Sequence, residues 1–490
     1  MNKDSPARIA VIGAGAAGWS AAAVLAGKCK DRALVTVFEA RDRIGGRIHT
    51  VDASKVLNGA NESSPVVDLG AQWSHNHKVS VIAELLDEAG LEISVPESWS
   101  MDKEALIMWK QHFPDVSEEE VRNLDKWSEP LISHVSIKWD LICKEEGLDI
   151  RKTSVLDVLK YCLRSDIIQA WLKENRPLIP VPSEAAIALC FEHQRNLMSN
   201  FFGIEAQHTS YESLDPDEGE HEHRVVTNGF IRLINMLRRR SEGSLRALKL
   251  SCVVSSVKAM GEEVLVTWNS DDEVFEEVYD YVVVTLPLGV LKLGCVAFDP
   301  PLPEPISTSI DRLAVGLLHK TIVLFSADEW SKVSLPGTRI LYPSDHAHTF
   351  SFILHLGEEA YHGPGLYGYA AYACYPWAAV AEELSNEELS ALFMIELSRA
   401  LEQTGKPSAV SSLPKPCRVV TTSWLKDPFS CGAYSAQSVD SPLSDFDAFS
   451  ETPYGHVYFA GEHCQSEMYG CVTAAIDTGN RAGEKIAMKI

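Results

Sequence analysis

The chain reads as an α/β protein, with a Rossmann-like dinucleotide-binding domain and an α+β cap domain, both discontinuous in sequence. Three observations predict this. The first fifty residues run strand, glycine turn, helix, strand, acid. A second strand–turn–helix closes the chain over 456–486. Between them lie a helical stretch, from Val79 to about Gln207, and a strand-rich stretch after a proline linker at 300–305; neither carries a nucleotide motif. The expected division is 1–78, 225–299 and 415–490 for the nucleotide domain, and 79–224 and 300–414 for the cap.

The opening unit is the most specific. Arg8 to Ile12 is a short apolar strand, followed at once by Gly13-Ala14-Gly15-Ala16-Ala17-Gly18 and a helix-like run to Ala26. In such a fingerprint the first glycine allows the tight turn. The second lets a pyrophosphate approach the backbone, and the third lets helix and strand pack closely. The helix N-terminus then offers free N–H groups and partial positive charge to phosphate. A second apolar run, Leu34 to Phe38, ends in Glu39. That acid lies about 20 residues beyond Gly18, where a carboxylate can bond a ribose hydroxyl.

Size and composition set bounds. The chain has 490 residues, suited to two or three domains. No apolar run reaches the roughly 18 residues that span a bilayer. No signal peptide fits before the first strand, and the last residues are not a Ser-Lys-Leu address, so a cytoplasmic protein without membrane contact is expected. The 11 cysteines include no CxxC pair, which argues for reduced thiols and against a zinc site. A formal charge of −24 argues against nucleic acid as partner; most of it reads as serving solubility, and an acidic surface also suits a cationic small molecule.

Taken in order, Arg41, Arg43 and Arg47 flank Gly45-Gly46 in a loop suited to wrapping phosphate. Gly70-Ala71-Gln72-Trp73-Ser74-His75 follows a strand end and is placed to line a crevice. By composition alone His75 reads first as an exposed turn histidine, and with His77 it makes no metal site. Helices are expected over Val79–Leu86, Glu118–Leu124, Ser128–Cys143, Val155–Leu163 and Glu184–Leu197. The acid- and histidine-rich stretch 211–224 reads as an exposed loop. Strands Leu248–Val257, Glu263–Trp268 and Val274–Tyr279 form a small antiparallel region, and Tyr281–Thr285 re-enters the main sheet. In Val315–Phe325, alternation puts Lys320, Ile322 and Leu324 on one face. Such a lysine is either a snorkelling edge residue or a buried functional cation. Further strands at 339–342, 349–356 and 367–374, with helices at 377–384 and 386–404, complete the cap.

Taken together, these pieces resemble the flavin-containing amine oxidase family, most of all its polyamine oxidases. The motifs are GAGAAG (13–18), EARDRIGGR (39–47), GAQWSH (70–75), TLPLGVL (285–291), the strand lysine Lys320, SWLKDPFSCGAYS (423–435) and FAGEH (459–463). DPFSCGAYS with Gly470-Cys471 resembles fungal spermine-oxidising members. The resemblance implies FAD held by Gly13, Ala14, Gly15, Ala16, Ala17, Gly18, Glu39, Arg47, the Val254 backbone, Gly461 and Glu462. Gly70, Ala71, Trp73, Trp424, Cys471 and Val472 would lie near the flavin. It implies that Lys320 holds a water at flavin N5, that His75 lines the amine site, and that Tyr434, Gly470 and Cys471 line the substrate tunnel. Monoamine oxidases attach their flavin through a cysteine; the matching position here is Ala433, which implies non-covalent FAD. Gly470-Cys471 replaces the Ser-Thr pair of animal polyamine oxidases, so the choice between free and acetylated amines stays open. No inserted helical tower is present, so histone demethylation is not expected.

The function so implied is oxidation of a secondary amine of spermine, spermidine or their N1-acetyl forms. O2 serves as second substrate, and a monomer or weak homo-oligomer is expected. The alternatives are a monoamine or L-amino-acid oxidase, or a non-catalytic escort-type binding protein on the same fold.

Overall fold

The computed structural model describes residues 5–52, 66–75, 82–94, 113–175, 181–214, 224–335, 338–340, 350–356, 366–403 and 410–490, with backbone alone at 125, 338–340 and 403. His77, the core of the acidic loop at 215–223, the start of the helix expected at 79 and all of 341–349 lie outside them.

A five-stranded parallel sheet carries the nucleotide half. Its order is Val457–Phe459, Tyr281–Val284, Ala7–Ile12, Ala33–Phe38, Leu245–Lys249. The first and last segments of the chain are thus drawn into one sheet. The central strands are buried on both faces, as a sheet with helical cover requires. Helices Ala16–Cys29 and Val472–Ala487 pack against each other with their backbones nearly touching. A Cβ at Gly479 would stand 2.3 Å from the Ala17 carbonyl oxygen, and one at Gly483 2.8 Å from that of Ala21. This contact brings the N-termini of both helices to the same side of the sheet.

The sequence reading of Leu248–Val257 as one strand of an antiparallel region is corrected. Leu245–Lys249 is the parallel edge strand of the main sheet, and Val253–Ala259 belongs to the sheet Glu273–Tyr279, Val264–Ser270, Val253–Ala259, Ala297–Asp299. The chain leaves one sheet for the other at Ser251, whose φ of 52° marks the turn.

The cap contains a five-stranded antiparallel sheet in the order Thr338–Ile340, Phe352–His355, Gly368–Cys374, Leu318–Leu324, Arg418–Thr421. Its edge strand Arg418–Thr421 lies beyond residue 415, where the sequence places the return to the nucleotide domain. Helices cover the sheet and build a large apolar core from Trp127, Trp139, Leu159, Leu189 and Tyr372. The expected helices 118–124 and 128–143 are instead Glu118–Ile137, which runs through Pro130, and Trp139–Glu146. A Ser117–Glu120 capping box secures the first helix. The 184–197 helix extends to Phe202 and stops at Gly203, a left-handed C-cap with φ 70°. Among the described residues no helix is long and apolar enough to cross a membrane.

Candidate functional site

One cavity of about 1490 Å³ runs from the glycine turn, past the strand bearing Lys320, to the cap helices. Its first end is backbone. Gly13 has φ 111°, and a Cβ there would stand 2.3 Å from Thr285 Oγ1. A Cβ at Gly18 would stand 2.0 Å from the Gly13 carbonyl oxygen, so helix and strand meet only because the position is glycine. Gly15, by contrast, lines the cavity and has nothing nearer than 3.9 Å to its absent Cβ, leaving the main chain open to a ligand.

The two facing helices are suited to an anion. Neither Ala16–Cys29 nor Val472–Ala487 has a side-chain cap or an acid in its first turn. Both present N–H groups and the positive end of the helix dipole beside the cavity, at Ala16, Ala17 and Val472. This cradle fits a dinucleotide pyrophosphate.

Glu39 is buried, and its carboxylate first closes the turn itself. It accepts from the Ala14 amide at 2.9 Å and the Arg41 amide at 3.0 Å. A carboxylate has about four lone-pair sites, so capacity for a ribose remains. The three loop arginines are engaged by protein groups. Arg41 pairs with Asp427 at 2.7 Å and bonds Ser430 Oγ at 2.9 Å. Arg43 staples its own loop through the Gly46 carbonyl at 2.9 Å. Arg47 donates to Glu462 at 2.8 Å and to the Ala433 carbonyl at 3.0 Å. Arg41 and Arg47 still border the cavity, while Arg43 does not.

Glu462 is buried beside Gly461. Its carboxylate accepts from the Arg47 guanidinium, the Ser435 amide and hydroxyl, and the Gly470 amide at 3.0 Å. Burial raises its pKa, but Arg47, His463 and the Ser435 hydrogen bond outweigh this, so the carboxyl lies below the ordinary glutamate value. One acid therefore ties 47, 435 and 470 around the cavity. Burial, reinforced by Glu462, pushes the neighbouring Cys471 thiol up to about 12, which leaves it protonated and inert near neutral pH. Val254 lines the wall from the second sheet. Cys431 does not border the cavity; its Sγ faces the Asp427 and Pro428 carbonyls, whereas Ala433 is on the wall.

Lys320 is buried on the cap-sheet strand. Its Nζ donates to the Gly70 carbonyl at 2.7 Å and the Asp68 carbonyl at 3.0 Å, reaches Gln72 Oε1 at 3.5 Å and stands 5.4 Å from the Tyr372 ring centroid. The edge-snorkelling alternative is thereby excluded. Burial lowers its pKa, and Asp68 opposes the shift. Asp68, an acid to which the sequence reading gave no role, is buried at the start of the helix Ile231–Arg240. It accepts from Thr50 and from the Phe230 amide at 3.2 Å, and burial raises its carboxyl. Gly70 is required here: a Cβ would stand 1.8 Å from the Arg47 carbonyl oxygen. Ala71, Trp73 and Trp424 complete this part of the wall.

The far end is made of side chains. His75 meets Phe201 edge to face, with ring centroids 6.0 Å apart. Tyr434 donates to the Asn200 carbonyl at 3.0 Å, binding its strand to the C-terminus of the helix Glu184–Phe202. Gly470 borders the cavity beside Tyr434. Glu129, Ile132, Ser133 and Ser136 present one face of the long cap helix to the cavity, which His193, Leu197 and Phe201 of the helix Glu184–Phe202 also line. These were not anticipated. The i, i+3, i+4, i+7 spacing of the first four, all within the helix expected over 128–143, was the available signal; which helix face meets the cavity is set by packing against distant segments.

The family model for flavin containing amine oxidoreductases matches residues 16–487. Polyamine oxidase 4 of Oryza sativa subsp. japonica is 26% identical over 500 residues, spanning 99% of this chain and 90% of the relative. Polyamine oxidase 2 of Arabidopsis thaliana is 27% identical over 500 residues, spanning 100% and 90%. In fold, the chain is similar to a solved structure of wild-type putrescine oxidase bound to putrescine. The TM-score is 0.68 at 18% identity, with 99% of each chain covered.

Proposed function

This chain belongs to the flavin-containing amine oxidoreductase family, and on that premise we propose that it is a polyamine oxidase with non-covalently bound FAD. The substrates proposed are spermine, spermidine or their N1-acetyl forms. A secondary amine, water and dioxygen would give an aminoaldehyde, a shorter primary amine and hydrogen peroxide. When bound, FAD supplies the hydride acceptor and passes two electrons to dioxygen.

The chain's own residues would divide the remaining work. The glycine turn, Glu39, Arg47, Glu462 and the two uncapped helices hold and orient the dinucleotide. Lys320, anchored to two carbonyls, orients a water at Nζ. His75 contacts the amine. Apolar neighbours such as Phe201 and Ile132 disfavour a charged nitrogen at the reacting carbon. Glu129 and Glu212, which border the same cavity, offer carboxylates to a distal ammonium. The acidic charge of −24 would raise the local concentration of cations.

The single observation that carries this reading is the continuity of the cavity from the dinucleotide cradle to a wall bearing both apolar groups and acids. A peroxide-release screen tests it, with spermine, spermidine, their N1-acetyl forms, a monoamine and L-amino acids. Turnover of the polyamines alone is expected; turnover confined to amino acids or monoamines would replace the assignment.

A further inference from the structure

Trp424 reaches the cavity from a turn, so a group outside the cavity must hold it there. The chain before the turn is secured by Lys320: the Lys320 amide donates to Thr422 Oγ1 at 2.9 Å, and the Thr422 amide donates to the Lys320 carbonyl at 3.0 Å. Beyond Thr422 the strand pairing ends. There the buried carboxylate of Glu382, one residue past the helix Trp377–Ala381, takes over. It accepts from the Leu425 amide at 3.1 Å, the Lys426 amide at 3.1 Å and Ser423 Oγ at 3.2 Å. The next residue, Glu383, pairs with Lys426 Nζ at 2.8 Å. Glu382 does not border the cavity. All its bonds go to the residues on either side of Trp424, and Trp424 itself packs into the core that holds Trp377 and Ala378 of the same helix.

We propose that Glu382 is a positioning residue for the flavin-side wall, fixing the turn so that Trp424 stands beside Lys320. The chemistry requires an acid. Three converging donors need an acceptor with two oxygens and no hydrogens, and the charge shortens and strengthens each bond. A glutamine has one acceptor oxygen, and its NH2 would face an N–H. Thr422 is held separately by the Lys320 main chain, so loosening the turn beyond it acts through Trp424.

This inference rests on the cavity being the FAD site, and the test separates the two. Glu382→Gln holoenzyme is compared with wild type in the position of its flavin absorption bands, the FAD Kd of its apoprotein and the rate of anaerobic flavin reduction by spermine. A shifted band, and changes in Kd and reduction rate of about tenfold each, are expected, with KM within about twofold. In a Trp424→Phe background the same substitution should change each by less than about twofold. Unchanged bands and rates, or equal effects with and without Trp424, would overturn the proposal. Should Glu382→Gln fail to fold, Ser423→Ala removes one of the bonds; a smaller band shift supports the proposal, and an unshifted band overturns it. Wild-type protein that binds no FAD would refute the cavity assignment itself, whereas a yellow wild type with an unaltered variant refutes only the role of Glu382.

Discussion

At the glycine-turn end of the cavity the wall is main chain, shaped by where a Cβ has no room. At the cap end it is side chains from two helices, Glu129, Ser133 and Ser136 from one and His193 and Phe201 from the other. The two ends respond to change in opposite ways. At Gly18 and Gly70 the backbone wall tolerates no side chain, because the obstacle to a Cβ is another backbone atom. A side-chain wall can be retuned residue by residue, which suits an end that selects among amines.

The strongest way to break this comparison is at Gly18. Gly18→Val should abolish FAD uptake, because its Cβ would meet the Gly13 carbonyl at 2.0 Å; flavin content of the purified variant checks this. A yellow Gly18→Val would show that the backbone wall is not rigid. Lys320→Met, at the junction of the two ends, should keep FAD but slow flavin reduction or reoxidation on the order of a hundredfold, read by stopped flow. Unchanged rates would remove Lys320 from the chemistry.

Acid should strike the cradle end and the junction together. Burial pulls His463, beside the cofactor cradle, and His319, next to Lys320, down to about 4. Both are neutral when folded near pH 7. As pH falls below the unfolded value of about 6.5, the unfolded chain gains protons that the folded chain refuses, so stability drops until about pH 4. Each should contribute about 2 kcal/mol of lost stability at pH 5 relative to pH 7. Holoenzyme melts across that range check the sign, and a flat profile would contradict the burial of both rings. The smallest effect expected is at the side-chain wall. Glu129→Gln should raise KM for spermine about tenfold while kcat changes little, a separation that uniform binding predicts.

The contrast also explains what the sequence made legible. GAGAAG, Glu39 and the late FAGEH unit are local patterns in which chain order dictates geometry, and the structure places each around one cradle. Lys320 was legible as an orientation, since strand alternation put it with Ile322 and Leu324. Its destiny was not, because the carbonyls that receive it lie some 250 positions away in the chain. The cap wall was partly hidden for the same reason. Glu129, Ser133 and Ser136 fall within the helix expected over 128–143, so their shared face was legible, but which face meets the cavity depends on packing against segments distant in the chain. Glu382 was invisible for want of any local signal: an acid after a short helix means nothing until three donors from a distant turn converge on it.

The account stands or falls on whether one cavity brings an amine to a bound flavin. Purified protein should be yellow, should release free FAD on denaturation, and its flavin absorption should bleach on anaerobic addition of spermine and return with air. A colourless protein that takes up no FAD, or a yellow one that no polyamine bleaches, would contradict it.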